Sequence, residues 1–374
     1  MLNKLRLNID WLLFFSTIPL VLAGLITMNS FVGENYFFEK QIIWLTISII
    51  VFFVFSYFDF RFLRKTGVLI ILFSFFVTLL SFLFIIGGIF QGAQSWFNFG
   101  FFAFQPSDLV KIVLILLLAK YFSKRHIEIA NVRHILVSGF YAFVFFILVL
   151  LQPDFGSAII IFLIWLGMVL VSGISKKHLL IVFLGGVLAF TGLWFNVFQD
   201  YQKQRIMTFI HPMADIQGAG YNAYQSTIAV GSGQVLGKGV GFGTQSRLQF
   251  LPEYETDFIF AAFAEEWGFV GVLLLFIFFG IIIWRILANA MKGSTNFEVL
   301  FGLGLAIMLI SQFSIHVGMN IGLLPVTGIT IPFMSYGGSH LVAEYMALGI
   351  LMGMRKYAQV AHRDDLKNEF LGLE

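Results

Sequence analysis

The chain has 374 residues, 59% of them hydrophobic and 11% charged, with 48 phenylalanines and a formal net charge of +3. Soluble domains run at roughly 45–50% apolar and about 25% charged, so this much apolar surface exceeds what one globular core can hide, and a bilayer is its natural solvent. There is no cysteine, which excludes disulfides and thiolate chemistry and leaves any metal site to histidine and carboxylates.

Lys4 and Arg6 precede an apolar run from about Trp11 to Met28. A signal-peptide apolar region spans only ~7–15 residues and ends at a small-residue cleavage site. This run is longer and has no A-x-A site, so it reads as an uncleaved first transmembrane helix. A spanning helix needs ~20 predominantly apolar residues. Ten segments qualify, with cores near 11–30, 40–58, 67–87, 106–122, 134–151, 155–172, 179–198, 258–284, 297–321 and 330–354. The fold class expected is an all-α polytopic membrane protein of about ten transmembrane helices, a single domain over 1–374.

Lys and Arg set the orientation. With the N-terminus inside, the inner segments hold 17 of the 23 basic residues. Both termini are then cytoplasmic, and the tail 355–374 is short and charged. One long extracytoplasmic loop, residues 199–257, joins the seventh and eighth spans. It holds amphipathic pieces such as YNAYQSTIAV (221–230). Long loops in compact proteins tend to be functional.

QPSD (105–108) and QPDF (152–155) both open apolar helices. Proline suits the first helical position and an acid suits the first turn, so helix starting explains both. Lys111 follows Asp108 by three residues, on the same helix face. An ionisable pair inside a span is expensive and is a functional candidate; mutual neutralisation is the plainer alternative. In the long loop, YQKQRIMTF (201–209) carries Lys203 and Arg205. Arginine offers a planar fork for phosphate, and an interfacial collar is the alternative. GSGQVLGKGVGFG (231–243) fails as a Walker A motif, which needs four residues between its glycines and then Gly-Lys-Ser/Thr. It is either turn glycine or a backbone cradle for a lipid-linked phosphate, with Lys238 as a point charge. The stretch 316–341 breaks helices near the membrane surface, where irregular backbone is buried or lines a wet cavity.

LPEYETDFIF (251–260) places Glu253, Glu255 and Asp257 at the lip of the eighth span. Asp257 is either a helix N-cap or a carboxylate at the membrane surface that takes a proton from a sugar hydroxyl or holds a divalent cation. At ~100° per residue, Glu265 lies about 80° around the helix from Asp257 and Glu266 about opposite. Both are roughly two turns deeper, so they read as supporting or interhelical groups, with Asp108 and Glu253.

GTQSRLQFLPEYETDFIFAAFAEEWGFVG (243–271), with AGYNAYQSTIAVGSG (219–233), QPSDLVKI, QPDFGSA and PVTGITIPFMSYGGS (325–339), resembles the SEDS family (shape, elongation, division and sporulation), over nearly the whole chain. The GTQS lead is most like its RodA branch. The resemblance implies a peptidoglycan glycosyltransferase. Such an enzyme polymerises lipid II, a disaccharide–pentapeptide on undecaprenyl diphosphate, outside the cytoplasmic membrane, for cell elongation and rod shape. It implies partnership with a class B penicillin-binding protein, docked against the eighth and ninth spans, and with elongation-complex membrane proteins, and not with nucleic acid. The family's essential aspartate falls on Asp257. It implies inversion at the donor anomeric carbon with Asp257 as general base or metal ligand. A free aspartate has a pKa near ~3.9, which makes it a weak base. Lys111, Arg205, Lys238 and Arg247, with Gln245 and Ser335, are the implied contacts to diphosphate or sugar. No cofactor is implied beyond a divalent cation, Mg or Mn. A lipid II flippase and a non-catalytic scaffold are the other functions to weigh: the first needs a polar path through both leaflets, and the second survives loss of Asp257.

Several positions depart from the family pattern. Ser95 precedes Trp96 where arginine is usual, and FFAF (101–104) lacks another arginine. Asp108 stands for glutamate, Glu255 for a frequent histidine and His316 for asparagine. DIQGAGY (215–221) lacks a proline after Asp215. His340 and Glu344 fall where small or apolar residues are expected.

Overall fold

Each expected span is a helix in the computed structural model, which describes residues 9–30, 36–90, 93–98, 100, 103–123, 132–173, 175–196, 198, 200–210, 220–248, 250–251 and 253–371. In chain order these are α1 (Trp11–Asn29), α2 (Tyr36–Tyr57), α3 (Thr66–Ile86), α4 (Pro106–Ser123), α5 (Val132–Leu151), α6 (Phe155–Val171) and α7 (Lys176–Asn196). The long loop adds α8 (Asp200–Ile210), α9 (Tyr221–Ser232) and the single turn α10 (Thr244–Arg247). The chain ends with α11 (Ile259–Ala290), α12 (Asn296–Asn320) and α13 (Gly338–Leu371).

Among the described residues, seven helices (α1, α2, α3, α5, α7, α11 and α12) are long and apolar enough to cross a membrane. The other three depart for visible reasons. α6 is apolar but has 17 residues. α4 carries Asp108, Lys111 and Lys120, and α13 opens with His340 and Glu344. Those charges are tolerable because α4 is buried along almost its whole length, packed by α3, α5, α6, α12 and α13. It is the axis of the bundle. Around it α13 lies on α2, α1 on α11, and α11 on α12. Asp10 caps α1 through the Leu13 amide at 3.1 Å and receives Arg285 Nε at 3.0 Å and Asn289 Nδ2 at 2.8 Å, which fastens α1 to α11.

Four features are not set by hydropathy. The segment between α3 and α4 is not helical: β1 (Gly88–Phe90), β2 (Ala93–Asn98) and β3 (Ala103–Phe104) pair as an antiparallel meander. The last span starts at Gly338 rather than near 330, because residues 321–337 form an irregular turn. The eighth runs to Ala290 and is broken at Gly268, whose φ of 63° and ψ of −167° are outside the helical region. Most of the long loop's described residues are ordered helices and turns on the bundle. The departure after Asp215 and the first half of FFAF lie outside the described residues.

Candidate active site

The turn that carries Asp257 is fixed from three directions. The amides of Thr256, Asp257 and Phe258 all donate to the Glu253 carbonyl, at 3.2, 3.0 and 3.1 Å. Ser335 Oγ donates to the Thr256 carbonyl at 2.8 Å, and the Tyr336 amide to the Glu255 carbonyl at 2.9 Å. Asn320, at the end of α12, donates to the Asp257 carbonyl at 3.0 Å and accepts from the Ala261 amide at 3.3 Å. The first turn of a helix leaves amides that need partners. Here Asn320 supplies one from another helix, and the N-cap of α11 is Phe258, with no side-chain cap bond. Asp257 is therefore not the N-cap. Its carboxylate faces a cavity.

That cavity has a volume of about 670 Å³ and lies between α2, α4, α6, α8, the β-meander, the Asp257 turn and the irregular turn 321–337. Asp257, Glu253 and Glu255 give it an acidic side; Lys111, Arg205 and Lys40 give it cations, and Asp108, Asp154 and His340 also line it. A Cβ on Gly328 would stand 3.5 Å from Asp257 Oδ2, so this glycine keeps space beside the carboxylate. Ser95 and Trp96, on β2, line the cavity as well.

The two QP motifs lie side by side. Asp154 caps α6 by accepting the Ser157 amide at 3.0 Å, while its second oxygen accepts Gln105 Nε2 at 2.8 Å. Asp108 and Lys111 form the expected i,i+3 pair, 2.9 Å apart and buried. Ser339 Oγ donates to Asp108 at 3.0 Å, and His340 Nδ1 lies 3.4 Å from it.

Burial and the neighbouring Glu253 charge push the Asp257 carboxyl up to about 6, against a smaller opposing pull from Arg205 and a hydrogen bond from Thr256. Burial also raises Glu255, with Glu253 and Asp257 adding to the effect. An aspartate near 6 is ionised at neutral pH yet far more basic than a free one. The weak base expected from the sequence is thus strengthened by its surroundings. Among the described residues no group of three or more His, Asp or Glu side chains is arranged to hold a metal ion. A cation at Asp257 would thus lack a protein cage of its own.

The glycine-rich segment does something other than cradle a phosphate. Glu265, buried on α11, accepts Lys238 Nζ at 2.7 Å, the Thr244 amide at 2.9 Å and the Gln245 amide at 3.1 Å. Glu266 accepts the Gly241 amide at 2.9 Å and Ser30 Oγ at 2.5 Å. The break in α11 frees the Glu265 and Glu266 carbonyls, which accept the Lys238 and Gly239 amides at 2.9 and 3.0 Å. A Cβ on Gly237 would meet the Glu266 carbonyl oxygen at 2.1 Å. The segment is a clasp over a helix break, and its glycines permit backbone contact.

Of the residues singled out from the sequence, the cavity gathers Asp257, Glu253, Asp108, Lys111 and Arg205. Lys238, Gln245 and Arg247 are not among its lining residues. Lys238 and the Gln245 amide belong to the clasp, and Arg247 is exposed, with Nη1 3.5 Å from the Gly241 carbonyl. Ser335 is buried, accepting the Ile331 amide at 3.0 Å, and supports the Asp257 turn. Glu265 and Glu266 tie α11 to the glycine-rich segment and, through Ser30, to the end of α1. In the sequence His340 stands out only as a departure from pattern, and nothing there marks Lys40, Gln312 or Tyr336, which also line the cavity. The available signal for His340 was an ionisable i,i+4 pair with Glu344 in an otherwise apolar helix.

A model of the FtsW/RodA/SpoVE family, described as cell cycle proteins, matches residues 5–360. Peptidoglycan glycosyltransferase MrdB of Escherichia coli is 40% identical, over 73% of this chain and 74% of its own length. Stage V sporulation protein E of Bacillus subtilis is 33% identical, over 94% and 98%. A solved chain from a peptidoglycan synthase complex, reported as the structural coordination of polymerization and crosslinking, superposes with a TM-score of 0.80 at 30% identity, over 94% and 98%.

Proposed function

As the chain belongs to the FtsW/RodA/SpoVE family of cell cycle proteins, we propose that it is a peptidoglycan glycosyltransferase of the cytoplasmic membrane, polymerising lipid II on the outer face. The observation that carries this reading is the Asp257 carboxylate. It faces a 670 Å³ cavity and is raised to about 6 by burial and Glu253, on a turn pinned by Asn320, Ser335 and Tyr336.

In the reaction, the acceptor's GlcNAc 4-hydroxyl attacks the donor's anomeric carbon. The carbon–oxygen bond to the undecaprenyl diphosphate breaks as the new glycosidic bond forms, with inversion. Asp257 takes the hydroxyl proton late, as the hydroxyl acidifies. The departing diphosphate needs fixed positive charge, and Lys111 and Arg205 on the same cavity are the groups for it. A divalent cation, if bound, would add charge at the diphosphate.

The higher identity to the MrdB relative and the GTQS segment before the acidic knot favour a role in cell elongation over division or sporulation. A cross-linking penicillin-binding protein is the partner this reading calls for. Exposed Phe269, Leu273 and Phe276 on α11 offer an apolar face inside the bilayer for its membrane helix.

The test is polymerisation of lipid II by the purified protein with its partner, wild type against Asp257→Ala, both checked for folding and partner binding. Glycan strands from wild type and none from the variant are expected. A variant that polymerises normally would remove Asp257 from the chemistry. A wild type that moves lipid II between leaflets without polymerising it would replace the reading with transport.

A further inference from the structure

Lys111 reaches the cavity, yet Asp108 at 2.9 Å cancels its charge. A neutral pair offers an arriving diphosphate little net attraction. The surroundings of Asp108 change that balance. His340, on α13, places Nδ1 3.4 Å from Asp108 Oδ1 and Nε2 2.9 Å from Glu344 Oε1. Both neighbours are carboxylates: Nδ1 is within hydrogen-bond distance of Asp108 and Nε2 makes an ion-pair contact with Glu344, so two anions flank the ring and the imidazolium is the form they attract. Glu344 is itself held in place: it is buried, and its other oxygen accepts the Phe333 amide at 2.9 Å. The four side chains make a row of alternating charge: Lys111, Asp108, His340, Glu344. Lys111, Asp108 and His340 line the cavity, whereas Glu344 is not among the lining residues. The row as a whole is neutral, but its cavity face carries two cations and one anion.

We propose that His340 is a positioning residue for the diphosphate of the polyprenyl-linked donor. It shares Asp108 with Lys111, which frees the ammonium to face the substrate, and it gives this row one more cation than anion on its cavity face, with Glu344 as the counter-ion behind. The proposal rests on the glycosyltransferase reading and adds to it His340 and Glu344. Neither needs to touch the reacting atoms. Their effect is the local field and the aim of Lys111, which act strongly where water is scarce.

The test uses the full chain in detergent with His340→Ala, Glu344→Ala and the double variant. Removing cation and counter-ion together leaves no unpaired buried charge, so the double variant is informative even where a single one misfolds. Binding of undecaprenyl diphosphate and of undecaprenol is measured alongside lipid II polymerisation. In the double variant, diphosphate affinity falls and the KM for lipid II rises, each about tenfold, while undecaprenol binds as to wild type. Unchanged diphosphate affinity, or an equal loss of undecaprenol affinity, overturns the proposal and leaves the pair a packing role. If wild type polymerises lipid II and the double variant keeps its KM, the His340 proposal alone fails. If wild type neither polymerises lipid II nor binds the diphosphate, the glycosyltransferase reading fails and takes the proposal with it.

Discussion

Replacing Asp257 by asparagine keeps the shape of the side chain and removes both its charge and its basicity. The carboxyl stands at about 6 in the folded protein against an ordinary 3.8. A difference of that size corresponds to about 3 kcal/mol at neutral pH, and screening in an open cavity lowers it to about 2 kcal/mol. The sign follows from the raised value. Below pH about 4 the carboxyl is protonated in both folded and unfolded chains and contributes nothing. Between pH about 4 and 6 the unfolded chain ionises first, and above about 6 the ionised carboxylate destabilises the fold in full. Asp257→Asn is therefore expected to melt higher than wild type at pH 8, by about 2–5 °C, and to converge with it near pH 4. Its polymerase rate is expected to drop by about 10²–10⁴-fold. Tryptophan-fluorescence melting across pH, with lipid II polymerisation on the same samples, measures both. Equal melting temperatures at pH 8 would refute the claim that Asp257 is held in a charge-disfavouring site. Full activity in a stabilised variant would refute its role as base.

Two further expectations follow from the same geometry. Glu253 holds Asp257 up, so Glu253→Gln should move the acid limb of the kcat/KM–pH profile below about 6; an unmoved limb would mean another group controls it. Gly268 has φ 63°, and a Cβ there would stand 2.2 Å from the Gly237 amide nitrogen. Gly268→Ala should thus destabilise the fold by about 2–4 kcal/mol, whereas Gly67→Ala, with nothing within 4 Å, should melt like wild type.

The sequence carries the helices and the polytopic class, because hydropathy is local: a run of some twenty apolar residues has few structures open to it in lipid. It also determined the Asp108–Lys111 pair and the helix-starting roles of QPSD and QPDF, since those depend on spacing along one helix. Asp257 was legible as an acid at a membrane lip, with cap and catalyst both open. Packing removes the cap alternative, by bringing Asn320 from α12 to take the Ala261 amide, and it sets Glu253 near a half-buried carboxyl that lines the cavity. The fate of Lys238 was equally out of reach. Its partner Glu265 lies 27 residues away across a break in α11, and no local pattern reports which cation meets which carboxylate. The same holds for His340, whose bridge joins the Asp108 of α4 to the Glu344 of α13. Periodicity fixes which face of a helix a charge occupies. Packing decides what that face meets, and the meeting sets whether the charge is a cap, a clasp or part of a site.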